Sequence, residues 1–428
     1  MQGRTPSGAL RFLLELAAVA SFATVLLGLL IAAQQDAARP GPGVEQSIPE
    51  FAMEVLTRPP RPLPDDEGPD WAVVQEYLAA ELAWRERSRE AAMAGGSAEE
   101  MGRRMQAFFG ELPDIRRAIA AATAIVDAGG HDRLTEAAEF LVEETWFEED
   151  GRVHMAKGAR KLLAHVPERS LHTLRSLHQR MFLPQHGQGG DPVQALFEEV
   201  AFDADDPVTR AAARYFLAVE LMREANNRWW PLPPERREAA RLRGIEVATG
   251  LGAGVEDEEF AGLDEPGPFM GWARTFAQAE ADLLYGLRHA TVGGTVAEVT
   301  GRRLDGVEDR LSAYAGRVVL IDFWATWCKP CVYALPELRD LVAELPADRF
   351  TLLAISVDEA PETVTTFQER QPMPWTNWHA GIGSDIERNW RVSAFPTYVL
   401  VDGQGRILAR GRLDEQFKSL LREAVESS

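Results

Sequence analysis

Two cysteines, Cys328 and Cys331, are the only ones in this chain of 428 residues. They follow an apolar run at 318–324, which predicts a buried strand, and the residues after them predict a helix. A Cys-x-x-Cys pair where a strand meets a helix can alternate between a dithiol and a disulfide. The sequence therefore predicts a redox-active site at this junction.

The position of each cysteine predicts its role. A helix N-terminus presents unpaired backbone N–H groups and a positive dipole end, and both favour a thiolate at Cys328. Thiols in such motifs have pKa values of roughly 3.5–7.5, against about 8.5 for a free cysteine. Cys331 lies one turn deeper and within disulfide reach. We therefore expect Cys328 to attack the substrate and Cys331 to resolve the mixed disulfide. Pro330 suits the first helical turn, and Lys329 adds positive potential.

Two other roles for the pair fit poorly. A structural zinc site needs four ligands, but none of the eight histidines has ligand-like spacing beside the motif, and no further cysteine exists. We therefore predict no metal and no cofactor. An inert structural disulfide is disfavoured because a two-residue loop constrains the unfolded chain very little.

From about Val292 to the C-terminus, the chain resembles the thioredoxin superfamily, and most closely the exported TlpA/ResA-like thiol–disulfide oxidoreductases. Two segments carry the resemblance. The first is GRVVLIDFWATWCKPC at 316–331, and the second is FPTYVLVDGQG at 395–405. The resemblance implies a thioredoxin-like fold around the dithiol.

The second segment implies how substrate is bound. By resemblance, Pro396 is a cis-proline that packs against the dithiol and belongs to the catalytic residues, and the backbone of Phe395 pairs with the substrate peptide. Trp327 and Thr397 are assigned with Phe395 to the substrate-binding surface on the same ground. Without the resemblance, Pro396 could be a trans residue at the start of a strand.

Two departures from the family pattern bear on the mechanism. Many relatives carry a glutamate where this chain has Ala334, and many have asparagine where it has Asp322. We hypothesise that Asp322 is a buried acid with a raised pKa that takes the proton from Cys331 during resolution. The alternative is a partly exposed aspartate at a sheet edge, which its apolar neighbours disfavour.

Peroxiredoxins share the fold, but their reactive cysteine follows a Pro-x-x-x-Thr-x-x-Cys pattern. Here Ile321 and Ala325 stand where that pattern has proline and threonine. Peroxidase activity is therefore not expected.

The N-terminus predicts a membrane anchor. Residues 16–33 are uncharged and about long enough to cross a bilayer, and Arg4 and Arg11 before them are expected to stay cytoplasmic. A cleaved signal peptide is the competing prediction, with Ala33 as the small residue before the cut. With an anchor at 1–34, the protein crosses the inner membrane of a bacterial cell once, and the bulk of the chain faces the periplasm.

Three segments follow the anchor. Residues 35–68 are rich in proline and glycine and predict a semi-extended linker. Residues 69–289 place apolar side chains at three- and four-residue spacing, which predicts an all-α domain with 155–182 as one helical stretch. Residues 290–428 predict an α/β thioredoxin-like domain, a central mixed sheet flanked by helices.

The α/β domain has strong local signals for most of its elements. Its predicted strands are Val318–Phe323, Phe350–Val357, Thr397–Val401 and Arg406–Ala409. Its predicted helices are Cys331–Leu345, Pro361–Arg370, Ser384–Trp390 and Glu415–Glu426. The stretch 373–379 is expected to be a loop, and a hairpin turn is expected at 402–405.

The net charge and the family resemblance together limit the functions that the chain is expected to have. A net charge of −21 disfavours nucleic acid as a partner. The resemblance implies an enzyme that reduces disulfides in exported proteins, sometimes for cytochrome c maturation, with electrons from a membrane donor. The motif itself does not fix the direction of transfer. The alternative is a redox-sensing scaffold whose helical domain binds a partner protein.

Overall fold

The computed structural model describes residues 69–93, 114–146, 148, 150–180, 191–226, 232–259, 275–392 and 394–428. The predicted anchor at 1–34 and the predicted linker at 35–68 therefore lie outside the described residues. Among the helices within these ranges, none is both long and apolar enough to cross a membrane.

The described part of the chain before residue 290 is mainly helical, as predicted. Its α-helices are α1 (Pro69–Met93), α2 (Arg116–Ala128), α3 (Leu134–Glu144), α4 (Gly151–His165), α5 (Ser170–Arg180), α6 (Pro192–Asp203), α7 (Pro207–Ala225), α8 (Pro234–Ala248) and α9 (Phe276–His289). The stretch predicted as one helix at 155–182 is instead divided between α4 and α5. A 3₁₀ turn at Pro167–Arg169 separates them, because proline cannot donate the backbone hydrogen bond that a continuous helix needs.

Local sequence signals explain where α7 and α9 begin. Pro207 occupies the first turn of α7, and the Asp206 carboxylate accepts a hydrogen bond from Thr209 N at 2.7 Å. Before α9, the Thr275 hydroxyl accepts from Gln278 N and the Gln278 side chain accepts from Thr275 N. This reciprocal capping box satisfies two backbone donors at the start of the helix.

By its internal contacts the chain divides into two compact units, one that ends at Leu196 and one that runs from Phe197 to Ser428. The second unit contains α7, α8 and α9 together with the α/β part. The domain boundary at residue 290 therefore remains a prediction, while three of the helices before it share a compact unit with the sheet.

The α/β part is built on a seven-stranded sheet with the order β2-β1-β5-β4-β3-β6-β7. The strands are β1 (Thr300–Arg303), β2 (Glu308–Arg310), β3 (Val318–Trp324), β4 (Phe350–Ser356), β5 (Thr376–His379), β6 (Thr397–Val401) and β7 (Ile407–Gly411). The helices are α10 (Lys329–Glu344), α11 (Pro361–Arg370), α12 (Asp385–Asn389) and α13 (Glu415–Ser427). The sheet is mixed, as predicted, because β3, β4 and β5 run parallel and the remaining pairs are antiparallel.

The loop predicted at 373–379 is wrong in its second half. Thr376–His379 form β5, which pairs with β4 on one side and with β1 on the other. The segment is short and largely polar, so its own sequence gives a weak strand signal. Hydrogen bonds from two neighbouring strands supply what the local pattern lacks.

β3 is buried along its whole length because its two faces pack on different clusters. Leu320 and Trp324 belong to the cluster that contains both cysteines, whereas Ile321 and Phe323 belong to the cluster on the other face. Burial on both faces explains the nearly uninterrupted apolar run in the sequence. Asp322, between Ile321 and Phe323, falls on the face that carries the cysteines.

Candidate redox site

The two cysteines lie where the sequence predicts, at the junction of β3 and α10. Cys328 is the N-cap residue of α10, and its Sγ accepts a hydrogen bond from Cys331 N at 3.3 Å. The two sulfurs form a disulfide, and the Cα atoms are 5.3 Å apart. Cys328 is 6% exposed and Cys331 is 2% exposed. The structure is therefore the oxidised form of the site, and its helix N-terminus favours a thiolate at Cys328 once the bond is reduced.

A buried carboxylate that the sequence analysis missed anchors the loop before Cys328. The Asp358 carboxylate accepts hydrogen bonds from Thr326 N at 3.0 Å, Thr326 Oγ1 at 2.6 Å and Ser356 Oγ at 2.8 Å. His379 Nε2 donates to the carbonyl oxygen of Asp358 at 2.7 Å. Asp358 thus fixes the position of Thr326, two residues before the first cysteine.

The sequence did contain a signal for this anchor. β4 and β5 run parallel to β3, and the carboxyl ends of neighbouring parallel strands meet at one edge of the sheet. Cys328 follows β3 at that edge, Asp358 follows β4, and His379 ends β5. An acidic residue directly after the predicted strand Phe350–Val357 was therefore a candidate for the site.

The predicted substrate-binding residues lie at the same end of the sheet. The Phe395–Pro396 peptide bond is cis, as the resemblance implies. The rings of Phe395 and Trp327 meet edge to face with centroids 5.8 Å apart, and Trp327 is 56% exposed. Thr397 begins β6, and its hydroxyl donates to Ala394 O at 2.7 Å. The two rings thus form an accessible apolar surface next to the disulfide.

Asp322 is buried, with 2% of its surface exposed, and its Oδ1 has no hydrogen-bond partner among the described residues. Burial raises the pKa of this carboxyl to about 8, because the charged form loses its hydration. The side chain is therefore mostly protonated at neutral pH and becomes a base slightly above it. The burial and the raised pKa are those that the hypothesis gives to Asp322, while its role as the proton acceptor of Cys331 stays a prediction.

Tyr398 is the cross-strand neighbour of Asp322. Its hydroxyl is also buried and lacks a hydrogen-bond partner within the described ranges. Burial raises the pKa of Tyr398, and the nearby Asp322 raises it further. Cross-strand partners project to the same face of a sheet, so both polar groups lie on the face that carries the cysteines.

Comparisons with known proteins concern this C-terminal region. Residues 292–410 match the family model described as AhpC/TSA family. The thiol-disulfide oxidoreductase ResA of Geobacillus kaustophilus is 31% identical over 116 residues, which cover 27% of this chain and 66% of that protein. The thiol:disulfide interchange protein HelX of Rhodobacter capsulatus is 32% identical over 95 residues, which cover 22% of this chain and 52% of that protein.

A solved thiol-disulfide oxidoreductase from Bacteroides fragilis is 28% identical and covers 30% of this chain and 98% of that chain, with a TM-score of 0.29. The chain spans just under two thirds of the length of the ResA relative and about half of HelX. The family match runs from the segment before β1 into β7, and it encloses both cysteines and the cis-proline. The C-terminal region of this chain is thus a thioredoxin-like α/β domain, and residues 292–410 of it match the AhpC/TSA family model.

Proposed function

We propose that this protein is a membrane-anchored, extracytoplasmic thiol–disulfide oxidoreductase that reduces disulfides of exported proteins. The observation that carries the proposal is the position of Cys328 at the N-cap of α10, with Cys331 as its disulfide partner. The names of the ResA and HelX relatives describe thiol–disulfide chemistry, which supports the same assignment.

The reduced site acts in two steps. The Cys328 thiolate attacks one sulfur of the substrate disulfide, forms a mixed disulfide and releases the other substrate sulfur as a thiolate. Asp322 in its ionised form then takes the proton from Cys331, and the Cys331 thiolate attacks Cys328 Sγ. The remaining substrate sulfur leaves as a thiolate, and both substrate thiolates are protonated from water. The substrate gains two electrons, and the protein reaches the disulfide form of this structure without a cofactor.

Each new round requires an external dithiol to reduce the Cys328–Cys331 bond. We assign this task to a membrane electron donor, with the chain held at the bacterial inner membrane by residues 1–34 and facing the periplasm. The uncharged run at 16–33 supports the anchor. Exported proteins that need free thiols, as in cytochrome c maturation, are the substrate class that the resemblance implies.

Turnover of insulin tests the enzymatic role. With dithiothreitol as reductant, the full chain is expected to reduce insulin far faster than dithiothreitol alone, because a preformed thiolate attacks the disulfide. Turbidity from the released B chain measures the rate. Cys328→Ser is the matched control and should give only the background rate. A wild-type rate at background would contradict the proposal.

The direction of transfer is set by the reduction potential, which equilibration in a glutathione buffer measures. A value near that of strong oxidants, about −120 mV, would contradict the reductase assignment.

A redox-sensing scaffold is the second candidate. The observation in its favour is that α7, α8 and α9 belong to the same compact unit as the redox domain. A change in the redox state of the dithiol can therefore be transmitted to these helices. A sensor would oxidise and reduce its dithiol without turning over insulin. The turnover assay therefore separates the two candidates.

A further inference from the structure

The segment that leads to the cis-proline begins in an unusual backbone conformation. We call residues 390–392 and 394–396 the cis-proline segment; it starts at the buried Trp390, whose ring lies 5.8 Å from that of Phe323 in β3. Arg391 has a φ of 47°, in the left-handed region that residues other than glycine seldom adopt. Such a conformation persists only where surrounding contacts hold it.

Arg410 of β7 supplies the first of these contacts. Its guanidinium donates hydrogen bonds to Arg391 O at 2.9 Å and to Ala290 O, directly after α9, at 3.0 Å. The next residue, Gly411, pairs with Tyr398 in β6. One side chain therefore links the end of α9, the start of the cis-proline segment and the strand pair beside it.

The side chain of Arg391 supplies the second contact, toward the helices. A Cβ added to Gly286 of α9 would lie 2.8 Å from Arg391 Cδ and 3.3 Å from Met222 Sδ of α7. The methylene chain of Arg391 therefore packs on the backbone of α9, at a position where only glycine leaves enough room. This contact ties the cis-proline segment to a helix more than a hundred residues earlier in the chain.

Hydrogen bonds fasten the connection between α9 and the sheet in the same region. Asn226, the C-cap residue of α7, accepts a hydrogen bond from Val292 N at 3.1 Å. The hydroxyl of Thr291 donates to Gly286 O at 2.9 Å. Residues 290–292 are thus bonded to both α7 and α9, so the junction is a packed structure rather than a free linker.

We propose that α9, which α7 fastens at the junction through Asn226, positions the cis-proline segment for substrate binding through the side chains of Arg391 and Arg410. The inference rests on the proposed oxidoreductase function, in which Phe395 lies against the substrate peptide. Arg391 and Arg410 act on the backbone of the segment and are positioning residues. The helices before the thioredoxin-like domain are then part of the substrate-binding apparatus, while the reactivity of the dithiol is set separately at α10.

Gly286→Ala in the full chain tests this inference. The added methyl displaces the Arg391 side chain, so the KM for insulin is expected to rise about threefold to tenfold. The kcat and the alkylation rate of Cys328 in the reduced protein are expected to stay at their wild-type values, because α10 is untouched. If Gly286 had only a structural role, the variant would show a lower Tm, and KM would not change independently of kcat. The higher helix propensity of alanine opposes a loss of Tm.

Arg391→Gly is a second test of the same contact, and it removes a side chain instead of adding a methyl group. Glycine accepts a φ of 47° but has no side chain to contact α9, so KM is expected to rise to a similar extent. In the double variant Gly286→Ala/Arg391→Gly the new methyl meets no arginine, and the two effects should not add. Arg310→Ala removes an exposed arginine of β2 that pairs with Glu308, and this control should leave KM unchanged.

The outcomes separate the inference from the proposed function. An unchanged KM in both single variants, with wild-type turnover intact, would overturn the positioning role. Additive rises in the double variant would do the same, because they would show that the two residues act independently. Absence of insulin turnover in the wild-type protein would instead refute the oxidoreductase function.

Discussion

Cys331→Ser is expected to convert the enzyme into a form that traps its substrate as a covalent mixed disulfide. Cys328 keeps its place at the N-cap of α10 and still attacks, but no second thiol is present to displace it from the substrate. A covalent adduct should accumulate and insulin turnover should fall to background. Non-reducing electrophoresis and intact mass measure the adduct, and reductant should release it.

Cys328→Ser is the matched control for the trap. Cys331 is the more deeply buried sulfur and lies beyond the first residue of the helix, so this variant should form no adduct and show no turnover. Equal adduct yields in the two variants would contradict the assignment of attacking and resolving cysteine. Mass spectrometry of the proteins trapped by Cys331→Ser would also identify the natural substrates.

Asp322→Asn is expected to slow the resolving step by about 100-fold at pH 8, the scale of a lost general base. Asparagine has the shape of aspartate but cannot accept the proton of Cys331. In the wild-type protein the resolving rate should rise with pH through about 8, the pKa of Asp322. Single-turnover release of substrate from the mixed disulfide measures this rate, and the ratio of the wild-type rate to the variant rate should increase through the same pH range.

The same substitution should stabilise the fold in alkaline solution. The pKa of Asp322 in the folded protein, about 8, lies above its ordinary value of 3.8, so the folded state keeps a proton that the unfolded chain releases. The contribution of Asp322 to stability is therefore complete below about pH 4 and is lost as pH rises to about 8. Urea unfolding should show that the free energy of unfolding of Asp322→Asn increases relative to that of the wild-type protein as pH rises through this window. The gain is at most about 6 kcal/mol, since the two pKa values differ by about four and each pKa unit corresponds to about 1.4 kcal/mol.

Asp340→Asn is the control for both effects, because Asp340 is an exposed carboxylate on α10. It should change neither the resolving rate nor the dependence of stability on pH. If Asp322→Asn resolved the mixed disulfide at the wild-type rate, Asp322 would have no part in the proton transfer.

The centre of the site was predictable because it depends on local patterns. Cys328 and Cys331 stand in one motif at a strand-to-helix junction, and that arrangement by itself fixes which sulfur caps the helix. The burial of Asp322 followed from its place in an apolar run, where both faces of the strand must be covered. Periodicity also predicted the helical character of the part before residue 290.

The surroundings of the site depend on contacts between distant segments, which local patterns do not encode. Asp358 holds Thr326 across 32 residues of sequence, and Arg410 reaches Ala290 across 120. β5 is a strand chiefly because β1 and β4 flank it. The support of the cis-proline segment by α9 likewise requires the folded structure, since nothing near Gly286 in the sequence points to Arg391.

The central claim is that the N-terminus of α10 holds the sulfur of Cys328 as a thiolate in the reduced protein. The most direct measurement is the rate of iodoacetamide alkylation of Cys328 in the reduced full chain as a function of pH, with mass spectrometry to identify the modified residue. We predict an apparent pKa within the range of roughly 3.5–7.5 that such sites show. A rate that titrates near about 8.5, the value of a free cysteine, would contradict the account.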